Sequence, residues 1–79
     1  MATDLNAAQQ KALLRLAELA PIYRTGTVAA PNFGHFSTAR ALERRGLVRA
    51  RTFPVEGFQL TDAGREVVAT LRAIIEGVV

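Results

Sequence analysis

The apolar residues of this sequence change their spacing at Gly46. Through residues 37–45 they recur at helical spacing around Leu42, which is typical of a helix with one buried face. Through residues 47–53 the side chains alternate in the pattern of a half-buried strand. One regular element cannot satisfy both periods, and glycine readily takes the left-handed conformation that ends many helices. The sequence therefore predicts a helix over residues 37–45 that stops at Gly46 and leads directly into a strand.

That strand is predicted to be the first half of a β-hairpin over residues 47–60. The turn, residues 54–57, contains a proline, which fixes its own φ angle, and a glycine, which can adopt a positive φ angle. Residues 58–60 then return as the second strand, with the phenylalanine and the leucine facing inward. The alternation places Arg49 and Arg51 together on the outer face of the first strand.

Positive charge is concentrated in the same part of the chain. Between Phe36 and Phe53 a single acidic residue, Glu43, accompanies five arginines: Arg40, Arg44, Arg45, Arg49 and Arg51. Five positive charges and one negative give this segment +4. The rest of the chain has five positive and six negative charges, or −1, which makes the net charge +3. A compact cationic surface suits a polyanionic partner, because each neutralised phosphate releases a condensed counterion.

The predicted elements, in chain order, are a helix over residues 4–20, a strand over 22–28, a loop or short helix over 29–35, the helix over 37–45, the hairpin over 47–60 and a helix over 61–76. Thr3 or Asp4 is expected to cap the first helix, and Pro21 is expected to end it, since proline donates no backbone hydrogen bond. Ser37 or a neighbour is expected to cap the central helix, and Thr61 the last one.

The last helix has more aliphatic side chains than a small core needs. Within an arc of about 120° at the helical period it presents Val67, Val68, Leu71, Ile74, Ile75 and Val78. Two interpretations remain open. In one, the whole stripe packs on the first helix. In the other, part of the stripe forms a homodimer interface, made of Leu71, Ile74, Ile75 and Val78.

The sequence offers few groups for catalysis or metal binding. It has no cysteine and one histidine, His35, which we expect to cap a helix or to pack. Phe33 and Phe36 are expected in the core. No nucleophile or acid pair accompanies His35, so the sequence predicts neither an enzyme nor a bound cofactor or metal. Arg72 and Glu76 interrupt the most apolar segment, which favours a soluble, cytoplasmic protein.

Two segments resemble the winged helix–turn–helix DNA-binding domain of multiple-antibiotic-resistance-type bacterial transcriptional regulators. The residues that carry the resemblance are Leu42, Arg44, Arg45, Gly46, Leu47 and Val48 in LERRGLVRA, and Leu60, Thr61 and Gly64 in FQLTDAGREVVATL. The resemblance implies one domain over residues 1–79 with an α+β, mostly α-helical winged-helix fold. It further implies a small transcriptional regulator, such as a repressor, that binds double-stranded DNA as a homodimer.

On this interpretation the 37–45 helix is a recognition helix that enters the major groove, and the hairpin is a wing over the DNA backbone. The predicted DNA-binding residues are Ser37, Arg40, Ala41, Arg44, Arg45, Arg49 and Arg51. Arg40 and Ser37 are expected to reach base edges, because arginine is the commonest partner of guanine. Arg44 and the strand arginines are expected mainly to hold phosphates, which set the register of the protein on the duplex.

A second interpretation makes the same fold a protein–protein interaction module whose arginine patch binds an acidic protein partner. Pro31 and Gly34 stand where the short second helix of the motif is expected, and Glu56 at the tip of the wing repels phosphate. Both features depart from the DNA-binding pattern and favour this alternative.

Overall fold

The computed structural model describes residues 4–23 and 25–77 of the chain. Its elements are helix α1 (Ala7–Leu19), a 3₁₀ turn (Ala20–Ile22), helix α2 (Ala30–Phe33), helix α3 (Phe36–Arg44), strand β1 (Val48–Arg51), strand β2 (Gly57–Leu60) and helix α4 (Asp62–Gly77). The two strands pair antiparallel. The fold is therefore a small, mostly helical α+β arrangement, and the prediction is confirmed at this level.

Helix α1 begins at a capping box. The Asn6 side-chain oxygen accepts a hydrogen bond from the Gln9 N–H at 2.8 Å, and the Gln9 side-chain oxygen accepts one from the Asn6 N–H at 3.2 Å. The prediction of Asp4 as the cap is therefore wrong, and Thr3 lies outside the described residues. The α-helix ends before Pro21, as predicted, and the chain continues as the 3₁₀ turn with this proline in its first turn.

In the strand predicted over residues 22–28, Val28 alone among the described residues pairs with a strand, so the prediction is wrong for the others; Arg24 lies outside the described residues. The Val28 N–H donates to the Phe58 carbonyl at 3.0 Å, and the Phe58 N–H donates to the Val28 carbonyl at 2.9 Å. Ile22 belongs instead to the 3₁₀ turn, and Gly26, with φ +68°, turns the chain. β2 therefore lies between β1 on one side and the single bridging residue Val28 on the other.

Helices α2 and α3 follow in close succession. α2 is a single turn with a proline in its first turn, where the missing N–H leaves no helical hydrogen bond unmade. The capping position of α3 belongs to His35 and not to Ser37, and the His35 side chain makes no capping hydrogen bond. His35 is exposed, so its alternative role in packing is not seen. Gly46 takes φ +77°, which confirms it as the stop that follows α3.

The core lies where α1, α3, α4 and the sheet meet. Leu13 and Leu16 of α1 and Leu42 of α3 are fully buried at its centre. Phe33 is buried as predicted, whereas Phe36 is 58% exposed, and the prediction that it belongs to the core is wrong. The reason lies in the start of α3. The helix begins at Phe36, and at 100° per residue this position falls about 120° away from Leu42.

The start of α4 is joined to the end of α3 through one threonine. The Thr61 hydroxyl accepts a hydrogen bond from the Gly64 N–H at 3.0 Å, which confirms Thr61 as the cap, and donates to the Gly46 carbonyl at 2.6 Å. The Thr61 N–H donates to the Leu47 carbonyl at 3.1 Å. Gly64 has no side chain to separate α4 from Leu47, so the helix lies directly on the backbone that leads into β1.

The two ends of α4 differ in burial. Val68 and Leu71 are buried in the core, whereas Ile74 and Ile75 are 52% and 57% exposed. Leu71, predicted at the homodimer interface, therefore contacts the chain's own core and is not available to a second subunit. Val78, from the same prediction, lies outside the described residues. Among the helices that the structure describes, none has the length and apolar content needed to cross a membrane.

Candidate nucleic-acid interface

Helix α3 separates its apolar and polar side chains cleanly. Ala39 and Leu42 are fully buried. The opposite face carries the exposed residues Phe36, Ser37, Arg40 and Arg44, with Ala41 half-buried at its border. The predicted sidedness of this helix is confirmed, with one addition: the exposed face contains an aromatic ring as well as arginines.

Arg40 is held by two neighbours on its own helix. Its guanidinium carbon lies 5.0 Å from the centroid of the Phe36 ring, and its Nη1 donates to Glu43 Oε1 at 2.6 Å. Both members of the ion pair are partly exposed to solvent. An exposed pair of this kind contributes up to about 1 kcal/mol, which is too little to bind Arg40 permanently to Glu43.

A groove of about 280 Å³ separates the first turn of α3 from the hairpin. Phe36 and Arg40 line one wall, and Ala50 and Arg51 of β1 line the other. Arg40 and Arg51 thus both border this depression, although Arg51, two residues after Arg49 in β1, belongs by alternation to the opposite face of the strand from Ala50. Glu56 lines the groove as well, so the surface also contains a negative charge near the tip of the hairpin.

Arg49 lies on the other face of the hairpin. In the register of the two strands Ala50 stands opposite Phe58, and Arg49 stands opposite Gln59. The Phe58 ring contacts Phe36, so the face with Ala50 looks toward α3. The Gln59 amide donates instead to the Thr25 carbonyl and to the Thr27 hydroxyl, which shows that the face with Arg49 looks away. The structure does not bring Arg49 into the groove with Arg40.

Arg45 is engaged with a carboxylate distant in sequence. Its Nη1 donates to Asp4 Oδ1 at 2.6 Å. This hydrogen bond, together with the charge of the guanidinium, lowers the pKa of Asp4 below its ordinary 3.8. Arg45 therefore ties the segment before α1 to the end of α3, and it is less available to a polyanion than the other predicted residues.

The remaining arginines of the segment keep their charge uncompensated. Arg44, Arg49 and Arg51 form no ion pair with any carboxylate in the part of the chain that the structure describes. Two of the five arginines are thus paired and three are not, which leaves the α3–β1 segment cationic. In residues 4–23 and 25–77 no group of three or more His, Asp or Glu side chains is placed to hold a metal ion.

Sequence reasoning missed two features of this surface. The exposure of Phe36 could have been found by extending the helical projection one residue back from Ser37. The pairing of Arg40 with Glu43 had a signal in their three-residue spacing, which brings side chains together on a helix.

Comparisons with protein-family models, with curated protein sequences and with solved structures found no match to this chain.

Proposed function

We propose that this chain is a winged helix–turn–helix protein that binds double-stranded DNA without catalysis and acts as a small cytoplasmic transcriptional regulator. The observation that carries the proposal is the division of α3: one face is fully buried, and the other presents Ser37, Arg40 and Arg44. An exposed helix of nine residues with a cationic face fits the width of the major groove.

The order of the elements supports the winged-helix assignment. A helix is followed by the bridging residue Val28, two further helices, a hairpin and a last helix, and Val28 pairs along the free edge of β2. On this proposal α3 is the recognition helix and the β1–β2 hairpin is the wing. The one-turn α2 supplies the short second helix for which the sequence had no clear counterpart.

Arg40 is the proposed base-reading residue, and its ion pair does not prevent this role. A bidentate contact between arginine and guanine contributes about 1–3 kcal/mol of discrimination, whereas an exposed ion pair contributes up to about 1 kcal/mol. Guanine therefore competes successfully with Glu43 for the guanidinium. Since the hydrogen bond to Glu43 uses only Nη1, Glu43 can also steady Arg40 while its other nitrogens are left to donate to a guanine.

The test is a titration of the protein with a mixed-sequence duplex at several salt concentrations, followed by fluorescence anisotropy. With two phosphate contacts per chain, from Arg44 and Arg51, log affinity should fall against log salt with a slope of about −1.8. A flat salt dependence, or no binding to any duplex at low salt, would contradict the proposal.

Single arginine substitutions make the test specific to this surface. Arg44→Ala and Arg51→Ala should each reduce the magnitude of the slope by about 0.9, because each removes one phosphate contact. Arg15→Ala removes the same charge from α1 and is the matched control. Equal effects of all three substitutions would show that net charge alone governs binding and that the α3–β1 surface has no special part in it.

We further propose a homodimer formed through the exposed end of α4. Ile74 and Ile75 are adjacent, apolar and more than half exposed, and burial of a matching pair would remove both from water. Two copies related by a two-fold axis would read two half-sites about 34 Å apart on the duplex. Sedimentation should show a dimer that Ile75→Lys converts to a monomer, and a monomeric wild type would contradict this part of the proposal.

The groove also gives a reason to retain the protein-binding alternative. Glu56 lies beside Arg51 and Arg40 in the groove, and a mixed surface of this kind suits a protein partner better than it suits phosphate. On this alternative, Glu56→Gln should weaken partner binding. On the DNA-binding proposal it should strengthen duplex binding, because a like charge facing the phosphates is removed.

A further inference from the structure

Phe36 is an apolar side chain in a place where a phosphate-binding surface needs none. It lies in the first turn of α3, 58% exposed, beside Ser37 and Arg40. A benzyl group cannot bind a hydrated, charged phosphate, and exposure of a large apolar ring gains nothing for the fold. The exposed part of the ring is therefore available to an apolar group of a bound partner.

The ring is held in place rather than free to turn. The buried Phe58 ring packs against it with centroids 6.1 Å apart and planes at 65°, and Phe58 is itself packed edge-on against Phe33 at 6.0 Å. Such edge-to-face pairs are favourable beyond the area they bury. Arg40 covers one face of the Phe36 ring, with its guanidinium carbon 5.0 Å from the centroid. Phe36 therefore presents its remaining exposed surface at a fixed position next to Arg40.

The major groove contains one apolar group, the methyl on C5 of a pyrimidine, and phenylalanine is among the side chains that contact it. We propose that Phe36 recognises this methyl group, while Arg40 contacts the guanine of the adjacent base pair. The inference rests on the proposed binding to double-stranded DNA and specifies what that surface reads. Adjacent base pairs are separated by about 3.4 Å along the helix axis. The Arg40 guanidinium carbon lies 5.0 Å from the centroid of the Phe36 ring, a separation that allows the two side chains to reach adjacent base pairs.

The test begins with a duplex selected by the wild-type protein from a randomised pool. Each thymine of that duplex is then replaced by deoxyuridine, which lacks only the methyl group. At one thymine next to a guanine, the replacement should weaken wild-type binding about fourfold. This is the fold-change for burial of one methyl-sized group, about 0.8 kcal/mol at 1.4 kcal/mol per tenfold.

Two phenylalanine variants assign the effect. In Phe36→Ala the same replacement should change affinity less than 1.5-fold, because the ring that contacts the methyl is gone. Phe53→Ala is the matched control, since Phe53 is 79% exposed in the turn between β1 and β2 and should leave the fourfold effect intact. Thermal unfolding checks that both variants fold. If Phe36→Ala does not fold, the deoxyuridine scan of the wild-type protein still tests whether a thymine methyl group contributes to binding.

A second scan tests whether the methyl group is recognised on a base other than thymine. Cytosine and 5-methylcytosine are placed in turn at the sensitive position, opposite guanine. Tighter binding of the 5-methylcytosine duplex than of the cytosine duplex supports recognition of the methyl group, and equal binding of the two contradicts it.

Two results would overturn the inference, and they are distinguishable. Salt-dependent duplex binding without any deoxyuridine-sensitive position in the wild type, or with equal sensitivity in Phe36→Ala, refutes methyl recognition and leaves DNA binding intact. Absence of binding to every duplex at low salt refutes both.

Discussion

Gly64 offers the sharpest test of how α4 is joined to the rest of the fold. A Cβ atom built on Gly64 would overlap the carbonyl oxygen of Leu47 and lie 3.0 Å from its carbonyl carbon. The obstacle is backbone and not the end of a flexible side chain, so Gly64→Ala must displace either α4 or the start of β1. The same Leu47 carbonyl accepts the Thr61 N–H at 3.1 Å, and a displacement would weaken that hydrogen bond.

The magnitude follows from three contributions. Overpacking of a closely packed contact costs about 1–3 kcal/mol. Loss of the Thr61–Leu47 hydrogen bond costs about 0.5–1.5 kcal/mol. Alanine offsets at most about 1 kcal/mol of this through its higher helix propensity. Gly64→Ala should therefore lower the free energy of unfolding by about 2 kcal/mol, and the melting temperature by roughly 8–16 °C for a chain of this size.

The assay is thermal and urea unfolding followed by circular dichroism, with Gly77→Ala as the control. Gly77 belongs to the same helix, and a Cβ there meets nothing within 4 Å, so this substitution should leave stability within a few tenths of a kcal/mol. Hydrogen exchange at the Thr61 amide should accelerate in Gly64→Ala and not in Gly77→Ala. Equal stability of the two variants, with unchanged Thr61 exchange, would refute the close approach of α4 to Leu47.

Three further predictions test the core, the α4 cap and the ion pair at the start of the chain. Leu42→Ala should lower the free energy of unfolding by about 2–5 kcal/mol, because the side chain is fully buried, whereas Arg40→Ala should lower it by less than about 1 kcal/mol in the same urea titration. Thr61→Ala should cost about 1–2 kcal/mol, since it removes a cap and a second hydrogen bond, and its unfolding should still be a single transition. The pKa of Asp4 is lowered in the folded state, so its pairing with Arg45 contributes stability above pH 3.8 and loses that contribution as the pH falls through the lowered pKa. The stability difference between wild type and Asp4→Asn should accordingly be present at pH 7 and absent in strong acid, and a difference that persists there would contradict the assignment.

The elements that the sequence predicted well are those whose signal is local. The change of period at Gly46, the φ of +77° at that residue and the threonine cap of α4 all act within a few residues of where they are seen. The exposed face of α3 was also predicted from local sequence. Once Leu42 is taken as buried, the helical period determines which side chains lie on the opposite face.

The strand expected over residues 22–28 failed because β-propensity describes a residue and not its partner. A strand needs a second strand to pair with, and of the described residues in this segment only Val28 reaches the free edge of β2. Gly26, two residues earlier, turns the chain, and Ile22 belongs to the 3₁₀ turn. The pairing of Asp4 with Arg45 could not be predicted for the same reason, since 41 positions separate the two residues and no local pattern connects them.

The junction between Gly46 and Leu47 determines more than stability. Thr61, the cap of α4, donates one hydrogen bond to each residue of this junction. Its hydroxyl donates to the carbonyl of Gly46, which follows α3, and its N–H donates to the carbonyl of Leu47, which precedes β1. α4 therefore helps to set the angle between α3 and the hairpin, together with the contact between the Phe36 and Phe58 rings. A surface that uses α3 and β1 together, as Arg40 and Arg51 require, depends on that angle. The LT-x-x-G segment, residues 60–64, thus stabilises the fold and fixes the geometry of the proposed DNA-binding surface through one set of contacts, although none of its residues lines the groove.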